Sequence, residues 1–358
     1  MKGEVVYLFA FDVANEIVTK RIGEIQAGQP TPFELRASHT TPKDLPLYKP
    51  LTIERAPLRT TLGAQTVRRL VRIYDLGVLS IVMRVGFEVN SLADLSAFHA
   101  PRLENGASLS AAARTLCAEV CQSLGDALVQ PGPLGEPEAY TVFCLTELGG
   151  EASAGKWLAA RRREVAELLS EASPSTLSEM QIGEVHRIAR SYADTDTVVI
   201  DWDAALVVDL DGYVDDVLYV LELANLQLEE YKVMDQRLDR HMDRIYDVFS
   251  RRQSGVFGTY SKTLAALRLI RVDLTKLNDE VTHITKFFGD WYLARVYLGA
   301  AERFYLSQWR QSVEQRLGQL DDLYSVVNAD INNRRMVWLE MIIVVFFGID
   351  LLMLWFKK

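Results

Sequence analysis

Eight aspartates crowd the stretch from Asp194 to Asp216: Asp194, Asp196, Asp201, Asp203, Asp209, Asp211, Asp215 and Asp216. Hard cations take several oxygen ligands at once, so a calcium-type site is the chemistry this density could supply, and Asp209-Leu210-Asp211-Gly212 is similar to the opening of a calcium loop. The further ligands and the closing Glu of such a loop are not at their positions. The other reading is a solvated sheet face followed by acids that favour the positive start of a helix at Tyr213. His39, His99, His186, His241 and His283 show no metal spacing, and Cys117 and Cys121, four apart, read as small core residues sharing a helical face. The chain holds no GxxxxGK[ST], GxGxxG, HExxH, CxxC or GxSxG. No catalytic, cofactor-binding or metal-binding residue is therefore assigned, and a non-enzymatic protein is expected. The net charge of −9 argues against general nucleic-acid binding, which needs clustered Lys and Arg to displace counterions.

Two further stretches carry charge in apolar surroundings. His283, Lys286, Asp290, Trp291 and Arg295 stand among aromatics, a mix that serves either as a docking surface or as a helix packed all round with its charges paired. Asp350 lies inside Val337–Phe356, VWLEMIIVVFFGIDLLMLWF, where Glu340 is the other acid and Gly348 the small residue. A carboxylate at such a position is protonated, paired across helices or facing water, so copies of Asp350 would either line a cation pathway or hydrogen-bond one helix to the next.

The elements that position these residues fall into three expected parts. Residues 1–211 read as an α+β domain: strands at 4–11, 67–74, 78–85 and 139–145, the middle two joined by Asp75-Leu76-Gly77, and helices begun by Ser91 and Ser108. Pro30 to Pro57 reads as an irregular excursion. Thr197 to Asp209 alternates as one strand with a wet face. Residues 212–335 carry long amphipathic helices with a coiled-coil seam through Val217, Leu221, Leu228, Leu238, Ile245, Leu320, Tyr324, Val327 and Ile331. The last helix is expected to start near Ala301. Residues 336–358 are expected to form one membrane-spanning helix, since the twenty residues of Val337–Phe356, apolar or Gly except for Glu340 and Asp350, match the hydrocarbon layer at about 1.5 Å each. Only Lys357 and Lys358 follow it, so it is expected to insert after synthesis as a tail anchor. No export signal is read at the start, which places the bulk in the cytoplasm at the inner membrane. The partners expected are membrane lipid, further copies of the chain and a cytoplasmic protein.

The runs VDDVLYVLELANLQLEEYKVMDQRLDR and LNDEVTHITKFFGDWYLARVY, with the final helix, resemble the family required for meiotic nuclear division, over residues 195–358. That resemblance implies an α+β domain, long helices and one C-terminal span, with relatives in mitochondria and bacteria. The function expected on all these grounds is a membrane-anchored, self-assembling scaffold, the alternative being a single-span oligomeric cation channel lined by Asp350.

Overall fold

The computed structural model describes residues 1–22, 31–32, 50–62, 65–250, 272 and 291–356. The chain divides into two units, Met1–Val233 with Asp273–Trp309, and Met234–Val272 with Arg310–Lys358.

The first unit is built on a nine-stranded sheet. In chain order its strands are β1 (Lys2–Asp12), β3 (Thr31–Pro32), β4 (Leu51–Arg59), β5 (Thr66–Tyr74), β6 (Val78–Glu88), β8 (Glu138–Glu147), β9 (Ala189–Arg190), β10 (Asp196–Ile200) and β11 (Ala204–Asp209). They lie side by side as β3-β4-β5-β6-β1-β8-β11-β10-β9, while β2 (Ala14–Ile17) and β7 (Leu128–Pro131) pair separately. All pairings in the large sheet are antiparallel except β8 with β11, where Leu206 stands opposite Phe143.

Central β1 explains why the sheet needs cover on both sides. Val5, Tyr7, Phe9 and Phe11 point one way and Val6, Leu8 and Ala10 the other, and all seven are buried. A strand buried on both faces reads as a continuous apolar run, with no alternation to expose. One face packs against α1 (Leu109–Leu124), α2 (Ala154–Ala160), α3 (Arg162–Leu169) and α4 (Glu179–Val185). The opposite face meets the first part of α5 (Val214–Ser250) and α6 (Trp291–Arg303), through contacts such as Asn225 to the Glu138 carbonyl and, just past the end of α6, the Phe304 ring on Tyr140. The expected α+β domain is thus corrected to a large mixed α/β unit, with one long sheet between helical layers.

Several expected elements are present. Ser108 caps α1, its Oγ accepting the Ala111 amide at 3.1 Å. Residues 75–77 turn β5 into β6, and Gly77 takes φ +92°, with its carbonyl accepting both Val13 and Ala14 amides. Others differ. Pro57 lies within β4, at the register shift between Arg55 and Leu58, where a missing amide costs no ladder bond.

The expected single strand at 197–209 is a hairpin, β10 and β11 joined through Asp201–Asp203. The tight turn flips the phase, so Val199 pairs with Leu206 on one face while Ile200 pairs with Ala205 on the other. All six residues of β11 are buried, and there is no wet face.

In the second unit, Arg316 on α7 (Leu306–Phe356) pairs with Asp235 at 3.1 Å and with Asp239, both on α5, while Leu238, Val313, Leu317 and Leu320 are buried. Asp235, which breaks the apolar seam of α5, is there as the partner of Arg316. The helix expected to start near Ala301 starts at Leu306, because Tyr305 takes φ +52° and ends α6.

The expected membrane-spanning segment at 336–358 is not retained. Among the described residues, no helix is long and apolar enough to cross a membrane.

Candidate functional site

The acidic stretch is occupied by the protein's own donors. Asp196 accepts the Tyr192 and Ala193 amides at 2.7 and 3.0 Å, and Asp211 accepts the Thr195 hydroxyl at 2.8 Å. Asp209 closes the turn into α5, accepting from the amides of Asp211, Gly212 and Tyr213 at 2.9, 3.0 and 3.1 Å. Burial raises its pKa, and those three amides offset part of the rise. Asp201 is buried against Arg303, whose Nη2 lies 2.5 Å away, and its carbonyl accepts the Tyr140 hydroxyl. The same guanidinium donates to the Glu184 carboxylate and carbonyl, which ties α6 to the hairpin and to α4. Among the described residues no group of three or more His, Cys, Asp or Glu side chains could hold a metal ion. The calcium reading therefore gives way to turn closure, with Asp215 and Asp216 as acids in the first turn of α5.

Sequence reasoning missed a polar layer between the sheet and α5. Arg72 on β5 forms a buried ion pair with Glu222. Arg84 on β6 bridges Glu4 on β1 and Asp215 at the start of α5. Glu138 on β8 pairs with Lys232, and Glu229, one turn earlier on α5, is buried beside it. Burial, helped by the nearby carboxylates of Glu138 and Asp12, pushes the Glu229 pKa up to about 8. The available signal was the polar spacing Glu222, Asn225, Glu229 and Lys232, which marks one side of α5. Between Asp216 and Tyr231 this helix is buried on every side. Val217, Leu221 and Leu228, expected in a coiled-coil seam, are therefore core residues of the first unit.

Of the expected interaction surface, Trp291 and Arg295 are described. Trp291 is 71% exposed and Arg295 stacks over its ring at 4.7 Å. Leu298 and Tyr305 continue the exposed side, and the Trp202 ring lies 5.5 Å from that of Tyr305. The opposite side of α6 is packed, with Val296, Tyr297 and Ala300 buried. The helix thus has one exposed side and one packed side. His283, Lys286 and Asp290 lie outside the described residues.

Along α7 the side chains from Met341 to Gly348 and Ile349 are all exposed, as is Glu340. Val344, Phe347 and Met353 are each 68% exposed. The side chains of Ile245, Tyr324, Val327, Ile331 and Asp350 lie outside those described, so the remaining seam residues and the Asp350 pore carry no geometric argument.

Comparison with known proteins places the relationship in the first unit. Residues 2–215 match the family described as the N-terminal domain of uncharacterized protein MJ0711. The uncharacterized protein MJ0711 of Methanocaldococcus jannaschii is 24% identical over 191 residues, covering 53% of this chain and 57% of that protein. These matches overturn the resemblance to the family required for meiotic nuclear division: they fall on the half that carried it least, and the relative found is archaeal, not mitochondrial.

Proposed function

This chain belongs to the family of the MJ0711 N-terminal domain, and we propose that it is a non-enzymatic scaffold that holds its α/β unit at a lipid surface. The reading rests on the exposed apolar end of α7. Nine consecutive residues, Met341 to Ile349, are exposed, eight of them with apolar side chains and the ninth Gly348, over more than two helical turns, so apolar surface faces every direction around the axis. Contiguous apolar surface of this kind marks an interaction site, since each Å² left in water costs about 25 cal/mol. An apolar surface of this extent exceeds the single stripe that one partner helix covers, which favours the broad apolar boundary of a lipid surface. The proposal is lipid contact, not passage across a bilayer. The α6 surface around Trp291 and Arg295 supplies a face for a protein partner, because Trp, Tyr and Arg dominate interface hot spots.

Flotation with neutral phosphatidylcholine vesicles tests this. The intact chain is expected to rise with the vesicles, and Phe346→Lys with Phe347→Lys to leave it at the bottom of the gradient. An intact chain that stays at the bottom, or forms a vesicle-independent oligomer instead, overturns the reading.

A further inference from the structure

We propose that Arg55 on β4 and Arg69 on β5 form a binding site for the phosphate group of a small soluble compound. The two residues are direct partners in the antiparallel register, so their side chains leave the same face of the sheet. Like charges placed directly opposite one another destabilise a sheet, yet among the described residues neither guanidinium has a carboxylate at ion-pair distance. The chain carries a net charge of −9 and had acids to place there.

The local structure holds the pair in position. The register shifts between Arg55 and Leu58, a bulge of the sort that re-aims side chains near a sheet edge. It turns the Ala56 carbonyl toward Arg69, whose Nε donates to it at 2.8 Å. That bond fixes the guanidinium plane and, among the described residues, leaves its two Nη groups for a ligand. Across the strand, the Arg55 Nε is buried and, among the described residues, has no hydrogen-bond partner. Burial and the field of Arg55 both lower the Arg69 pKa, and Glu119 on α1 offsets only part of this. A buried, unpaired donor beside a second cation is costly unless an anion completes it.

The geometry favours phosphate over carboxylate. A carboxylate has two oxygens and satisfies one guanidinium fork, whereas a phosphate dianion offers three or four oxygens and neutralises both charges. The site owes nothing to the exposed end of α7, so it stands or falls separately from the lipid reading.

The experiment is calorimetric titration of the full chain with inorganic phosphate, against potassium chloride of matched ionic strength. Saturable phosphate binding is expected, weakened about tenfold or more by Arg55→Gln and by Arg69→Gln. Arg55→Lys keeps the charge but not the fork, so it guards against a folding defect and is expected to weaken binding several-fold. Three results overturn the proposal: heat no different from the chloride control, equal binding by all three variants, or an Arg55-dependent preference for phosphatidylglycerol over phosphatidylcholine vesicles with no response to inorganic phosphate.

Discussion

Arg72 and Glu222, 150 residues apart in the chain, meet as a buried ion pair between β5 and α5. Taking both charges out of water is expensive, and their attraction repays that cost only while both are present. Glu222→Gln is therefore expected to lower stability by about 3–5 kcal/mol, because it removes a buried carboxylate that compensates the Arg72 guanidinium. Arg72→Met combined with Glu222→Leu removes both charges and is expected to restore most of that loss. Urea unfolding of the four proteins in a double-mutant cycle reads the coupling directly. Losses that simply add would show that the pair does not act as a unit.

A second consequence of the same layer is a dependence on pH. Glu229 has a folded pKa of about 8 against an ordinary value of 4.5. Between these values the folded state keeps a proton that the unfolded state has released, so stability must fall as pH rises from about 4.5 to 8. The slope contributed by this one group is at most about 1.4 kcal/mol per pH unit. Facing it are Glu138 and Asp12 on the sheet and Lys232 on its own helix. Glu229→Gln fixes the neutral form and is expected to flatten the profile over that window, leaving the variant more stable than the parent at pH 8. An unchanged profile would mean that Glu229 stays ionised throughout.

Much of this architecture was legible in residue order. Ser108, the turn at Gly77 and the apolar runs of β1, β6 and β8 act through local rules that leave a local trace. What was not legible depends on three-dimensional closure. The alternation from Val198 to Val208 is the same whether the segment is one strand or two, and only the turn at Trp202 resets the phase. Glu222 and Glu229 look like the solvated side of a helix until the sheet covers them. The apolar spacing of Val217, Leu221 and Leu228 suits a coiled coil and a central helix equally. Arg55 and Arg69 are fourteen positions apart, and the register that sets them opposite is a property of the pairing.

Asp209 offers a sharp test of the discarded calcium reading. Its three amide bonds predict that Asp209→Ala loses about 1–3 kcal/mol, because partly buried turn amides lose their acceptor. Chelation with EDTA, or addition of excess calcium, is expected to leave the melting curve of the parent chain unchanged. A calcium-dependent rise in melting temperature that Asp209→Ala abolishes would reinstate the metal.

Gly299 shows how closely α6 approaches the sheet. A Cβ built there would lie 2.7 Å from Cγ2 of the buried Ile188 and 3.6 Å from Cδ1 of Ile200. Alanine gains about 1 kcal/mol over glycine in a helix interior. Forcing a methyl group into a filled contact costs about 1–3 kcal/mol, so Gly299→Ala is expected to destabilise despite the better helix former. Leu298→Ala changes the adjacent residue on the exposed side, and its effect should stay within about 0.5 kcal/mol. Ile188→Ala opens the space that the new methyl needs, so the double variant should be less impaired than the sum of the singles, by about 0.5 kcal/mol or more. Simple addition of the two losses would place the cost of Gly299→Ala in the helix backbone and not in the approach of α6 to Ile188.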